Sequence, residues 1–249
     1  MNSIIPNISV DCVIFGFDFD ELKVLLIERK FLSLDNIHDT GLMNSDLKLP
    51  GDLIAEDEDL DTSAQRVLKD LTGLENIYLQ QFHVFDSPAR VKKQKDQKWL
   101  EATTHIHIER VVSVAYYSLV RMDQINKFQL MITKKAKWIP VHQMGNLAFD
   151  HNEIVQNALE TLRNKLKSDP VAFELLPKKF TINQLQRLYE VILDVVIDNR
   201  NFRKKIKTLD YIVATEEKEK NVAHKPALYY YFDKRIYNSY KRNTMLFVL

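Results

Sequence analysis

The stretch Asp52–Leu74, which reads DLIAEDEDLDTSAQRVLKDLTGL, decides the fold. Its apolar residues recur at positions i, i+3, i+4 and i+7, which predicts an amphipathic helix built on Ala64, Val67, Leu68 and Leu71. Asp61 is expected to cap the start of this helix. Gly73 is well placed to end it in the left-handed conformation. The segment Lys48–Gly51 leads into this stretch.

The same residues resemble the Nudix box, G-x5-E-x7-R-E-U-x-E-E-x-G-U, in which U is apolar. Glu58, Arg66, Leu68, Gly73 and Leu74 match the pattern. The first glycine is replaced by Asp52, and the three glutamates that follow the arginine are replaced by Val67, Asp70 and Leu71. The resemblance implies a Nudix fold in which the frame of the motif is kept and its carboxylates are mostly lost.

That loss argues against catalysis. Mg²⁺ prefers hard oxygen ligands in near-octahedral geometry. The box supplies them from one helix face, where this chain has Val67, Asp70 and Leu71. One carboxylate between two aliphatic side chains cannot hold a metal cluster that activates water. We therefore expect no catalytic residue, no metal and no other cofactor, and we expect Glu58 and Arg66 to form a structural ion pair.

Composition bounds the class of protein. The chain has 249 residues, 45% of them hydrophobic, which suffices for a packed core but not for a membrane protein. The N-terminal residues Met1–Pro6 lack both a basic region and a long apolar core, so no signal peptide is expected. Cys12 is the single cysteine, which agrees with a reducing cytoplasm.

The charge is distributed unevenly along the chain. The last 73 residues, from Pro177 onward, hold 15 Lys and Arg against 8 Asp and Glu, whereas the preceding residues hold 20 against 26. A basic part joined to an acidic part suggests a polyanion-binding domain attached to another domain. The sequence Ser168-Asp169-Pro170 interrupts the pattern, so we expect domains at residues 1–169 and 170–249.

The first domain is expected to be an α/β (α+β) sandwich with a mixed sheet. Val10–Phe17 and Lys23–Arg29 flank a polar turn and predict a β-hairpin. Further strands are expected at 77–85, 111–120 and 137–141, and a helix from Asp150 to about Lys167 closes the domain.

The second domain follows the order of a winged helix-turn-helix. Thr181 caps an amphipathic helix, a break follows, and a basic helix spans Arg200–Lys207 before a β-hairpin. Base edges are expected to be read from the start of the basic helix, and phosphates from basic residues around it. The candidate DNA-binding residues are Lys179, Arg187, Arg200, Asn201, Arg203, Lys204, Lys207 and, on the wing, Lys225.

The whole chain resembles the bacterial Nudix-related transcriptional regulators, of which the arabinose-type branch looks closest. The matching phrases are Val10–Phe17, the eroded box, Arg110–Tyr117, Phe149–His151, Leu175–Thr181, Gln184–Glu190 and Asp198–Lys205. The resemblance implies a cytoplasmic homodimer that binds operator DNA and a small effector, either a pentose or an ADP-ribose-like molecule. We expect a sugar-responsive transcriptional regulator that represses a sugar-use operon and releases its DNA when the sugar binds. Effector-contacting residues are expected at Phe15, Phe17, Asp52, Phe85 and Arg110, from their positions on the strands.

Two alternatives to this reading stay open. One is an ADP-ribose or nucleoside-diphosphate-sugar hydrolase with an appended basic domain. The other is an RNA-binding or structural Nudix protein.

Residues 86–109 depart from the regulator pattern. This segment is longer and more basic than the short acidic turn expected there, and it lies near the ligand face of the fold. Its lysines, Lys92, Lys93, Lys95 and Lys98, are expected to be solvated, with contact to DNA or an anionic effector as the alternative. His105, His107 and Glu109 alternate as metal ligands could, although a solvated strand edge is the better interpretation.

Overall fold

The computed structural model describes residues 4–29, 46–122, 136–223 and 225–245. Met1–Ser3, part of the stretch examined for a signal peptide, lie outside the described residues. Within the described ranges, no helix combines the length and the apolar character needed to cross a bilayer.

A mixed seven-stranded sheet forms the first domain, in the order β3-β2-β1-β6-β5, with β4 paired to β1 and β7 paired to β2. Strand β1 runs parallel to β6, and the other pairs are antiparallel. The strands are β1 Ile4–Phe17, β2 Leu22–Glu28, β3 Leu47–Lys48, β4 Gly51–Ala55, β5 Gln80–Phe85, β6 Val112–Arg121 and β7 Ala136–Pro140.

Strand β5 begins at Gln80 rather than at the predicted residue 77. The carbonyl of Ile77 accepts a hydrogen bond from the Gln65 side chain, and the carbonyl of Tyr78 accepts one from the Ser118 hydroxyl. Side chains therefore satisfy these two backbone acceptors, and a neighbouring strand is not needed for them.

Two helices cover opposite faces of the sheet. Successive side chains of a strand point to opposite faces, so the apolar residues of β1 need a covering helix on each side. Helix α1, Leu60–Thr72, packs Val67 and Leu68 against Cys12 and Ile14 of β1. Helix α3, His151–Ser168, contributes its apolar side chains to the core that contains Val13, Phe15 and Phe17. The expected sandwich is confirmed.

The N-cap of α1 is Asp59, so the expectation of Asp61 was wrong. The Asp59 carboxylate accepts a hydrogen bond of 2.7 Å from the backbone N–H of Thr62. Asp61 instead accepts a 2.7 Å hydrogen bond from the Tyr116 hydroxyl. Gly73 ends the helix with φ +74°, as predicted.

Residues 86–109 contain a helix, α2 (Gln94–Thr104), where the sequence suggested a solvated loop. Leu100 and Asp96 of α2 are buried, and Leu100 packs with Leu53, Val91 and Val111 in a separate small core. The sequence did not predict this helix, because it is rich in lysine and only a narrow face of it packs against the protein.

The second domain has the predicted winged helix order. Thr181 forms a complete capping box at the start of α4 (Ile182–Leu193), and Asp198 caps α5 (Asn199–Ile206). A three-stranded sheet joins β8 Phe180–Thr181, β10 Leu228–Phe232 and β9 Ile212–Lys218. Helix α6, Lys234–Met245, follows the wing and is not among the predicted elements.

The two domains share one continuous core. Leu159, Leu162 and Leu166 of α3 belong to the same buried cluster as Leu185 and Leu188 of α4. Docking of the two units is therefore hydrophobic, and a rigid contact is expected across it.

Candidate functional site

A cavity of about 360 Å³ opens between β1, β4, α2 and the start of α3. Its charged and polar lining comprises Ser9, Asp11, Glu28, Lys48, Asp52, Arg90, Thr103, Thr104 and His151. Its apolar lining comprises Ile27, Leu53, Leu71, Val91, Trp99, Leu100, Val111 and Phe149. Apolar walls with a few convergent polar groups are what a small-molecule site requires.

Arg90 holds two carboxylates together inside this site. Its guanidinium lies 2.9 Å from Asp150 and 3.5 Å from Asp11, and all three side chains are largely buried. The Ser113 hydroxyl also donates to Asp11. Against the effect of burial, His151, Arg90 and the hydrogen bond from Ser113 lower the pKa of Asp11, whereas burial raises the pKa of Asp150 despite its pairing with Arg90.

His151 is held in one orientation as a neutral ring. Its Nδ1 accepts a 2.8 Å hydrogen bond from the backbone N–H of Leu49, so that nitrogen carries no proton. The Nε2 faces Asp11 at 3.5 Å. Burial lowers the pKa of His151 to about 4, against the opposing effect of Asp11.

A second buried cation lies beside helix α2. Arg29 donates to Asp96 at 2.5 Å and also pairs with Asp46. Its guanidinium lies 5.6 Å from the centre of the Trp99 ring and 5.2 Å from the centre of the Phe149 ring. The ion pair fixes α2 on the body of the domain, and thereby places Trp99 at the cavity wall.

Lys48 lies at the same wall. Its Nζ donates a 2.5 Å hydrogen bond to the carbonyl of Gly51 and lies 5.4 Å from the Trp99 ring centre. Burial lowers the pKa of Lys48, while Asp11 and Asp52 raise it.

The eroded box has the expected ion pair. Glu58 accepts a hydrogen bond of 2.6 Å from the Arg66 Nε and another of 2.7 Å from the Ser63 hydroxyl. The bond from Arg66 is the main cause that lowers the pKa of Glu58 to about 2. Both side chains serve to tie the loop before α1 to the helix.

The donor set does not fit the metal that a Nudix fold implies. Val67 is buried in the core, Leu71 lines the cavity, and Asp70 is exposed. Among the residues that the structure describes, no three carboxylate, histidine or cysteine side chains are grouped so as to hold a metal ion. His107, one of the alternating residues considered as ligands, lies against Glu101 and Glu109 at 3.1 and 3.6 Å on the surface.

The structure separates the candidate effector residues. Asp52 lines the cavity. Phe15 and Phe17 lie on the same face of β1 as Asp11, but further along the strand in the domain core. Phe85 is also buried in that core, and Arg110 is exposed, where it donates to the carbonyl of Asp86 at 3.3 Å.

Most of the cavity lining was not predicted from the sequence, including the five residues whose contacts are described above. They are Asp11, Lys48, Arg90, Trp99 and His151. A signal existed for Asp11, because a carboxylate in the apolar run Val10–Phe17 requires a buried partner. No local pattern pointed to Arg90, which meets Asp11 across 79 residues of chain.

The basic helix α5 presents its charged side to solvent. Arg200, Asn201, Arg203, Lys204 and Lys207 are all exposed. The side chain of Arg203 is fixed in position by the hydrogen bonds that it donates to Asn199 at 2.8 Å and to Asn183 at 2.7 Å.

The remaining candidate DNA contacts lie around this helix. Lys225 on the wing is exposed. Lys179 pairs with Glu217 at 2.6 Å, and Arg187 donates to the carbonyl of Asp20 in the first domain at 2.8 Å. These last two side chains would have to exchange an internal partner for a phosphate.

Comparison with known proteins supports both halves of this architecture. Residues 172–232 match the family model described as the NrtR DNA-binding winged helix domain. A protein of Acinetobacter baylyi, described as the ADPR responsive transcriptional repressor NtrR, is 27% identical over 94% of this chain and 84% of its own length.

Solved structures give the same fold. Shewanella oneidensis NrtR in complex with a 27mer DNA has a TM-score of 0.67 at 24% identity, covering 93% of this chain and 95% of that chain. Shewanella oneidensis NrtR without DNA has a TM-score of 0.64 at 25% identity, covering 90% and 93% respectively. A MutT/nudix family protein of Enterococcus faecalis has a TM-score of 0.61 at 23% identity, covering 91% and 86%.

Proposed function

The chain joins a Nudix-like domain to an NrtR-type winged helix domain, and we propose that it is a transcriptional repressor whose operator binding is controlled by a small effector. The observation that carries the proposal is the presence in one chain of an exposed basic helix and of a cavity beside which the described residues form no cluster of metal ligands. The first feature suits DNA, and the second suits a ligand that is held without being cleaved.

DNA binding is assigned to α5 and the wing. The start of α5 presents Arg200 and Asn201, which suit base edges in the major groove. Arg203 and Lys204 lie further along the same helix, Lys207 follows its last residue, and all three side chains suit phosphates. An operator read by one helix per subunit is most simply bound by a homodimer, which we include in the proposal.

For the effector we propose ADP-ribose. The Acinetobacter relative is described as ADPR responsive, and it aligns with nearly the whole chain. A cavity of about 360 Å³ with an indole at its wall is larger than a pentose needs and suits part of a nucleotide. The pentose effector expected from the arabinose-type likeness has no comparable support.

Hydrolysis of the effector is the competing function. It would need carboxylates where Val67 is buried and Leu71 faces the cavity. Only Asp70 is retained on that helix face, and it lies exposed. We therefore propose that bound ADP-ribose acts by binding the DNA-competent and DNA-incompetent forms unequally.

Fluorescence anisotropy tests the proposal. A labelled duplex from the protein's own promoter should bind far more tightly than a scrambled duplex at about 150 mM salt, where electrostatic binding alone weakens. ADP-ribose should then release the promoter duplex, and L-arabinose should not. Equal affinity for both duplexes would refute the regulator.

A turnover assay tests the competing function. Incubation of the protein with Mg²⁺ and ADP-ribose should yield no AMP above the level of a protein-free control. Turnover that disappears in Asp70→Ala would establish the hydrolase in place of the sensor.

A further inference from the structure

We propose that Lys48 is the residue that recognises an anionic group of the effector, and that the site therefore selects phosphate-bearing ligands over neutral sugars. This inference rests on the proposed effector-binding role of the cavity. It makes the Lys48 side chain the group that distinguishes phosphate-bearing effectors from neutral sugars.

The side chain of Lys48 is buried and lines the cavity, and none of the described residues forms an ion pair with it. Only 6% of the surface of Lys48 is exposed to solvent. Among the described residues, its Nζ donates a hydrogen bond to a neutral acceptor, the carbonyl of Gly51. Within the described ranges of the chain, no carboxylate oxygen lies within the 4.0 Å of an ion pair to its Nζ.

The two buried arginines nearby, unlike Lys48, form ion pairs with carboxylates. Arg29 is paired with Asp46 and Asp96. Arg90 is paired with Asp11 and Asp150. The described residues thus supply two carboxylates to each arginine and none within ion-pair distance of the Lys48 Nζ, although Arg90 and Lys48 line the same cavity.

The closest carboxylates are already engaged. Asp11 accepts from Ser113 and faces both Arg90 and His151. Asp52 is exposed at the rim, where its Oδ1 accepts a hydrogen bond from the N–H of Leu53 at 2.8 Å. Both carboxylates act on Lys48 from beyond ion-pair distance, where they raise its pKa against the effect of burial.

An unpaired ammonium in such a place is costly, because desolvation removes its hydration shell without replacing it. Burial accordingly lowers the pKa of Lys48. A ligand that brings a phosphate into the cavity would supply the missing counterion and would gain a charge-assisted hydrogen bond. A neutral pentose would bury the lysine further and would offer it only neutral hydrogen-bond acceptors, which bind an ammonium more weakly than a phosphate does.

The rest of the wall fits the same ligand class. Trp99 presents an aromatic surface 5.4 Å from the Lys48 Nζ, and Val91 and Leu100 lie beside it. A molecule with a phosphate next to a planar or apolar part would satisfy both features. That is the chemistry of a nucleoside diphosphate sugar.

Isothermal titration calorimetry on the full-length protein, with ADP-ribose, ribose 5-phosphate and ribose as probes, tests the assignment. We expect both phosphate-bearing probes to bind, and ribose to bind at least ten-fold more weakly than ribose 5-phosphate. Lys48→Met keeps the length and removes the charge, and should weaken ADP-ribose by at least ten-fold. Lys48→Arg, which keeps the charge, should lose less than Lys48→Met.

Lys98→Gln is the matched control, because Lys98 lies exposed on α2 and does not line the cavity. It should bind ADP-ribose as the wild type does. A thermal scan without ligand guards against misfolding: Lys48→Met removes an unpaired buried charge, so its melting temperature should equal or exceed that of the wild type.

Two results would overturn the assignment. The first is ADP-ribose affinity unchanged in a folded Lys48→Met protein. The second is ribose binding as tightly as ribose 5-phosphate. Either can occur while the promoter duplex still binds specifically, so failure of this inference is distinct from failure of the repressor function.

Discussion

Arg163 on α3 donates a 2.7 Å hydrogen bond from its Nε to the carbonyl of Ile192 near the end of α4. Helix α3 begins at His151 in the cavity, and α4 is the first helix of the helix-turn-helix. One continuous helix of 18 residues, about 27 Å long at 1.5 Å per residue, therefore joins the proposed effector site to the DNA-binding domain.

From this link we predict a loss of coupling in Arg163→Ala. The variant should still bind ADP-ribose and the promoter duplex separately, because Arg163 touches neither site. ADP-ribose should therefore change the duplex affinity less than it does in the wild type. The coupling free energy calculated from that change should fall by roughly 0.5–2 kcal/mol. Anisotropy titrations with and without ADP-ribose measure this difference, and Lys167→Ala, an exposed change on the same helix, serves as the control. Wild-type coupling in Arg163→Ala would show that the signal does not cross this contact.

The recognition helix gives the second prediction. Arg200→Ala should relax preference for the promoter duplex over a scrambled one, with a loss of about 1–3 kcal/mol on the promoter alone. Lys207→Ala should weaken both duplexes alike and lower the salt slope of binding by about one. Lys69→Ala removes an exposed lysine of the other domain and should change neither. Identical behaviour of Arg200→Ala and Lys207→Ala would mean that the groove assignment is wrong.

The buried His151 gives a third prediction, on pH. Burial lowers its pKa from 6.5 to about 4, against the effect of Asp11 and with that of the surrounding cations Lys48, Arg90 and Arg29. Between these two values the unfolded chain binds more protons than the folded one. The contribution of His151 is therefore fully present above pH 6.5 and is lost as the pH falls towards 4, by about 1.4 kcal/mol per pH unit.

Urea unfolding at pH 7, 6 and 5 measures this dependence. His151→Gln should be less stable than the wild type at pH 7 but should lose less between pH 7 and pH 5. His142→Gln changes an exposed histidine and should keep the wild-type slope. A slope unchanged in His151→Gln would show that another group controls stability in this range.

Much of the architecture follows from local patterns in the sequence. Gly73 and Thr181 mark helix ends by their own chemistry, and the period of Ala64, Val67 and Leu68 defines α1 without reference to the rest of the fold. The same holds for the winged helix, because Asp198 and the basic helix after it are adjacent in the chain.

The cavity could not be foreseen in this way. Its central contacts join Arg90 to Asp150 across 60 residues and Leu49 to His151 across 102 residues. Phe15 and Phe17 were expected at the effector because they lie on a strand near it, but they lie further along that strand in the core. Strand position alone gives the face of a side chain and not its distance from a pocket.

Gly51 gives the last prediction. A Cβ built on it would lie 1.9 Å from the Asp11 Oδ1 and 2.9 Å from the carbonyl oxygen of Val10, so either the carboxylate or the strand must move. Gly51→Ala should therefore cost about 1–3 kcal/mol of stability, with a fall in melting temperature of at least about 2 °C. Because Asp11 is displaced, the stabilisation by ADP-ribose should be lost as well.

Gly145→Ala separates this steric effect from the general cost of replacing a glycine. Gly145 has φ +62° and nothing within 4 Å of a built Cβ, so its substitution strains only the backbone, by about 1 kcal/mol. Differential scanning fluorimetry with and without ADP-ribose should show a smaller fall for Gly145→Ala and the full ligand-induced shift. Equal falls in both variants, with equal ligand shifts, would mean that the close approach of Gly51 to Asp11 does not shape the site.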